Sequence, residues 1–111
     1  MVTYIISPVG NSELRIDPDD FSKKMLNKWP GINIQRVILD NDPYILRWSI
    51  ELIGHRQLGG LQENRQAVSV EDFPSGVADF ALWYRSVIHL DYKLSLYDDD
   101  LSNQMELKKE T

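Results

Sequence analysis

The sequence has 111 residues and a mass of 12.9 kDa, which is the size of one domain, so we predict a single domain over residues 1–111. Hydrophobic residues make up 42% of the chain and charged residues 26%, a composition that supports a packed core and excludes intrinsic disorder. The formal net charge is −5, and most of the lysines and arginines stand singly. Nucleic acid and anionic membranes are therefore not expected partners.

The chain contains no cysteine, which excludes disulfides and thiolate chemistry and favours a reducing cytoplasmic compartment. The N-terminal apolar run is too short for a signal peptide or a membrane span. We read its alternating residues, 2–7, as a first strand that ends in a turn at residues 8–12.

Asp17 and Pro18 have the character of a helix start, because Asp accepts from free amides and Pro suits the first helical position. Phe21, Met25 and Trp29 follow at four-residue spacing, which predicts an amphipathic helix. The Pro-Gly pair at 30–31 ends it.

Two strands are predicted next, over residues 32–39 and 44–53. The apolar positions of the first change phase near Gln35 and Arg36, which indicates a bulge there or a strand end that is buried on both faces. The second alternates cleanly, with Tyr44 and Trp48 on the face expected to be buried.

Gly59 and Gly60 are interpreted as the following reversal. A three-residue loop over 58–60 would place Trp48 opposite Val70, apolar against apolar, and would require positive φ at one of the glycines.

A second helix is predicted after Phe73 and Pro74, capped by Ser75, with an apolar stripe that includes Phe80 and Tyr84. Residues 92–97 then alternate as a strand, and Met105 with Leu107 indicates one more. The order is β-α-β-β-β-α-β-β. It predicts an α+β two-layer sandwich, with a mostly antiparallel sheet of five or six strands and both helices on one face.

Clustered acids are the first place to look for chemistry. Asp98, Asp99 and Asp100 fail the calcium-loop pattern and are read as a solvated turn, although whether they bind a cation stays open. The remaining candidate acids (Asp17, Asp19, Asp20, Asp40 and Asp42) sit where turns and helix starts favour them, and His55 and His89 have no companion at metal-ligand spacing. We therefore assign no catalytic, cofactor-binding or metal-binding residue.

Leu82 and Trp83 are the candidate partner surface. On the predicted second helix Leu82 points away from the apolar stripe and Trp83 lies at its edge, and exposed apolar residues of this kind often mark interfaces. The alternative is that a loop or the C-terminal segment covers them. Trp29 and Trp48 are assigned to the core. Arg36 and Arg47 could flank an acidic ligand or partner, and Arg85 could stack on its aromatic neighbours or pair with an acid, but all three are interpreted as structural.

The leading functional hypothesis is a cytoplasmic protein-interaction module of inhibitor, immunity or regulatory type without catalytic activity. Its acidic surface would steer a basic protein partner, and homodimerisation through Leu82 and Trp83 or through a free sheet edge is also expected. The alternative is a small-molecule-binding domain or enzyme whose pocket, between sheet and helices, is lined by Trp48, Tyr84 and Tyr97.

Overall fold

A computed structural model of the protein describes residues 2–38, 41–98 and 104–107. In chain order the elements are β1 (Val2–Pro8), α1 (Pro18–Lys28), β2 (Asn33–Arg36), β3 (Tyr44–Leu52), β4 (His55–Gln62), β5 (Val68–Asp72), α2 (Pro74–Val87), β6 (Leu94–Asp98) and β7 (Gln104–Leu107).

The strands form one antiparallel sheet in the order β2-β3-β4-β5-β1-β6-β7. The predicted α+β fold is confirmed, with seven strands where the sequence predicted five or six. The strand nearest the N-terminus lies inside the sheet, because β1 pairs with β5 on one side and with β6 on the other.

Both helices pack on the same face of the sheet. The Trp48 ring of β3 contacts Phe21 of α1 and Phe80 of α2, each at 5.8 Å between ring centroids. Trp29 at the end of α1 stacks on Phe80, whereas Phe21 near the start of α1 packs on Tyr84, further along α2. The helices are therefore antiparallel, and the core lies between them and the sheet.

Helix α1 begins as predicted, because the Asp17 side chain accepts from the backbone N–H groups of Asp19 and Asp20. The predicted cap of α2 is wrong. This helix begins at Pro74 with Phe73 as its N-cap, so Ser75 already lies in the first turn.

The predicted reversal at Gly59 and Gly60 is also wrong. Both glycines lie inside β4, Trp48 pairs with Gly59, and Gly59 pairs with Val70, so a whole strand separates the two residues expected to oppose each other. Neither glycine has positive φ. The chain turns instead at Ile53 and Gly54, where Gly54 has φ +82°, and again before Ala67, where Arg65 has φ +59°.

The predicted bulge lies elsewhere. Strand β2 ends at Arg36, and the sheet irregularity falls between Tyr44 and Leu46 of β3. It changes the phase of the strand, so that Leu46 is buried in the core while Tyr44 points to the opposite face and its hydroxyl lies 2.9 Å from that of Ser69. Leu39 and Asp40 lie outside the described residues.

Candidate functional site

A buried polar cluster lies where β4 and β5 meet the start of α2. At its centre is the carboxylate of Asp72, which is 0% exposed. It accepts the backbone N–H of Phe73 at 2.6 Å and the side-chain amide of Gln57 at 2.9 Å, and it lies 3.0 Å from Nε2 of His55. The cluster joins three elements that are adjacent in space.

The local sequence explains why a carboxylate is stable in this place. Asp72 directly precedes the N-cap of α2, where the positive end of the helix favours an anion. Gly76, in the first turn of α2, leaves room for it, because a Cβ atom there would collide with the Asp72 carboxylate. The Gln57 amide also lies 3.3 Å from the Gly76 carbonyl oxygen and so ties β4 to the helix.

The His55 ring is held by protein atoms on both sides. Nε2 faces the Asp72 carboxylate and Nδ1 lies 3.3 Å from the Ile53 carbonyl oxygen, so both ring nitrogens already face protein acceptors. The cluster acts as a brace that fixes the hairpin of β3 and β4 against α2.

Exposed apolar side chains lie near the brace at this end of the sheet. We define the hairpin-end surface as Val2, Leu52, Ile53 and Phe73, which come from β1, the turn of β3 and β4, and the start of α2. Ile53 is 102% exposed and Phe73 is 46% exposed, with the Phe73 ring 5.1 Å from that of His55. These residues lie at the same end of the sheet, because β3, β4, β5 and β1 are consecutive in it, with Val2 paired to Asp72 and Leu52 paired to His55.

The face of the sheet opposite the helices forms a second surface, which we call the open face. Tyr44, Arg47, Leu58 and Glu71 lie on it, and they line a groove of about 170 Å³. The Tyr44 backbone N–H donates to Asp42 and holds the pKa of that carboxyl below its ordinary value, with a further lowering from Arg47. Arg47 also lies over the Tyr44 ring, 4.5 Å from its centroid.

The structure separates the two residues of the predicted partner surface. Leu82 is 41% exposed on the outer side of α2, as expected from the sequence. Trp83 turns toward α1, where its ring packs on Trp29 at 4.8 Å and on Phe21 at 5.9 Å between centroids. Trp83 is therefore partly buried and helps to pack the two helices together.

The acidic candidates have structural partners where they are described. Asp17 caps α1, Asp19 pairs with Arg36, Asp20 with Lys24, and Asp42 with Arg47. Asp99 and Asp100 lie outside the described residues. Within residues 2–38, 41–98 and 104–107, no three acidic or histidine side chains are placed to hold a metal ion.

His89 and Arg85 lie at the end of α2. The His89 ring is largely exposed, 3.4 Å from the Asp91 carboxylate, on a groove that Asp17 and Asp20 also line. Arg85 is buried and donates to the carbonyl oxygens of Ile88, His89 and Tyr92. Its structural role is confirmed, and backbone carbonyls rather than an acid are its partners.

The three residues proposed for a small-molecule pocket do not share one. Trp48 and Tyr84 are buried in the core. Tyr97 pairs with Ile5 and hydrogen-bonds to Ser7 on the open face, because it alternates with the buried Leu96 along β6. This corrects the predicted composition of the pocket.

Comparison of the chain with protein-family models, with curated proteins and with solved structures finds no match. Among the residues that the structure describes, none of the helices has both the length and the apolar character needed to cross a membrane. The candidate surfaces are therefore interpreted from the geometry of this chain.

The brace of His55, Gln57 and Asp72 was missed by sequence reasoning. A signal was present, since an Asp two residues before a helix-starting Pro is a favourable place for a carboxylate. His55 could not be linked to it, because residues 58–60, in the middle of the strand that carries His55 and Gln57, were read as a turn. Only the pairing of β4 with β5 brings His55 and Gln57 close to Asp72.

Proposed function

We propose that this protein is a cytoplasmic protein-interaction module of inhibitor, immunity or regulatory type, and that its hairpin-end surface contacts the partner. The observation that carries the proposal is the wholly exposed side chain of Ile53 at the tip of the hairpin. The turn itself needs only Gly54, whose positive φ suits the third position of a type II turn. An isoleucine beside it adds nothing to folding but offers an apolar anchor.

The neighbours of Ile53 support this interpretation. Leu52, Phe73 and Val2 extend the apolar area, and contiguous exposed apolar residues mark interaction sites in folded proteins. Transfer of one isoleucine side chain into a partner pocket contributes about 1.5–3 kcal/mol. The brace beneath holds the hairpin in one arrangement, which lowers the entropy lost on binding.

The charge of the chain favours a basic partner. A net charge of −5 steers association with proteins of opposite sign and opposes binding to nucleic acid. The absence of cysteine fits a reducing compartment, and we place the protein in the cytoplasm on that basis.

The test compares two exposed isoleucines. Ile53→Asp should abolish co-purification of a stoichiometric partner from native cell extract, whereas Ile38→Asp should retain it. Ile38 is 87% exposed and follows β2 beyond Arg36, which pairs with Leu46 at the other end of β3. Both variants should fold, as checked by circular dichroism. Failure of the wild-type protein to retain any stoichiometric partner, or equal retention by Ile53→Asp, would count against the proposal.

A further inference from the structure

The open face carries charged side chains that are mostly neutralised by their own neighbours. Arg47 donates to Asp42 through Nη2 at 3.1 Å, and Arg56 pairs with Glu51. These two ion pairs leave the arginines without a free positive charge to offer a ligand. The charge of this face is then set by the acids that remain.

Glu71 is such an acid, at the centre of the sheet. It lies on β5, where it pairs in register with Leu58 of β4 and with Thr3 of β1. Its side chain is half-buried and makes no hydrogen bond or ion pair with any residue in the described ranges. Glu106, on the edge strand β7, likewise has no partner in the described ranges.

The groove at Glu71 fits one side chain better than a whole ligand. Its volume of about 170 Å³ is below the range of about 300–1,000 Å³ that small-molecule sites occupy. Leu58 offers an apolar wall, which suits the aliphatic stem of a lysine or arginine while the charged head reaches the carboxylate. Arg47 also lines the groove, but Asp42 already balances its charge.

We propose that the open face docks a basic segment of the partner protein, with a lysine or arginine of that segment paired to Glu71. This inference rests on the proposed function and names the chemistry of the contact. Charge complementarity selects the occupant, because the Glu71 carboxylate that lines the groove has no partner among the described residues. Glu71 lies next to Asp72 along β5, so one partner can cover this groove and the hairpin-end surface together.

The first experiment uses NMR to follow a titration of the ¹⁵N-labelled protein with a hexalysine peptide. The peptide is acetylated only at its N-terminus, so its lysine side chains keep their charge. Amide shifts should centre on Thr3, Leu58 and Glu71, and Glu71→Gln should weaken binding about tenfold, the scale of a charge-assisted hydrogen bond. Glu71→Asp keeps the charge and should retain binding. The matched control Glu106→Gln removes an acid of the same face that also has no partner among the described residues, and it should bind as the wild type does.

Shifts spread over the whole acidic surface, or equal binding by Glu71→Gln and the wild type, would overturn the inference. The second experiment measures the affinity of the same variants for the partner retained in the isoleucine test. A partner that binds Glu71→Gln as tightly as the wild type refutes the role of Glu71 and leaves the proposed function standing. If no partner exists, the proposed function fails and the inference built on it fails too, and the peptide titration then reports only whether this carboxylate takes a cation.

Discussion

At the scale of single residues, Tyr84 places a polar atom in the apolar core. It is fully buried against Phe21 and Phe80, and its hydroxyl has no hydrogen-bond partner among the described residues. Burial raises the pKa of this hydroxyl well above its ordinary value. A phenylalanine would fill the same space without the polar atom.

Tyr84→Phe should therefore leave the free energy of unfolding at pH 7 unchanged or raise it by up to about 2 kcal/mol, because a desolvated and unpaired hydroxyl is lost. Urea unfolding measures this difference. A loss of more than about 1 kcal/mol would show that the hydroxyl has a stabilising partner.

The same variant should change the response to alkali. Below the ordinary tyrosine pKa of about 10, Tyr84 is neutral in both the folded and the unfolded chain. Above it the unfolded chain releases the proton while the folded chain keeps it, so wild-type stability falls as the pH rises. Urea unfolding at pH 9 and pH 11 should show a smaller fall for Tyr84→Phe, and an equal fall would contradict the assignment.

At the scale of elements, the first turn of α2 depends on Gly76. Alanine in a helix usually stabilises by about 1 kcal/mol relative to glycine. Here the added Cβ would collide with the Asp72 carboxylate and disturb its bonds to His55 and Gln57. We expect Gly76→Ala to lower the free energy of unfolding by about 2–4 kcal/mol.

The control for this variant is Gly31→Ala, where a Cβ would meet no atom within 4 Å. It should lie within about 0.5 kcal/mol of the wild type in the same urea titration. If Gly76→Ala instead raised the free energy of unfolding, the Asp72 carboxylate would be able to move aside without loss of stability. That result would contradict the claim that the brace fixes the hairpin.

The helices and the alternating strands were predictable because each has a local cause. Asp17 caps α1 by contacts within three residues, and the alternation along β3 lies in the strand itself. The strand β4 was not predictable by the same means. Its paired glycines have the pattern of a turn, and only the fold shows that the Trp48 ring lies on Gly59 and that a Cβ at Gly60 would be 2.7 Å from the Tyr44 ring.

The buried cluster of His55, Gln57 and Asp72 could not be predicted, because β4 was not predicted as one strand. His55, Gln57 and Asp72 lie together only through the pairing of β4 with β5, which sequence spacing does not reveal. The exposure of Leu82, in contrast, follows from helical periodicity and was predicted. Trp83 was placed at the edge of its stripe correctly, but its contact with Trp29 depends on how the two helices cross.

At the scale of the whole molecule, the prediction of a homodimer now rests on Leu82 more than on the sheet edges. The edge strands β2 and β7 have four residues each, and short edges give little length for pairing between copies. An isologous contact centred on Leu82 uses a side chain outside the core.

Light scattering should find a dimer for the wild type and a monomer for Leu82→Glu, with the same circular dichroism for both. A wild-type protein that scatters as a monomer at tens of micromolar would refute the dimer. Leu82 would then be free for a different partner.

The interior position of β1 bears on the order in which the molecule folds. Val2 pairs with Asp72 and Tyr4 with Asp98, so this strand joins positions that are distant along the chain. Loops of that length are slow to close, whereas the hairpins from β2 to β5 involve near neighbours in sequence. The chain should therefore assemble as two sheet fragments, β2 to β5 and β6 with β7, that stay apart until β1 enters between them. Until then β5 and β6 each present a bare edge, and this interval is when a nascent molecule is most exposed to strand exchange and aggregation.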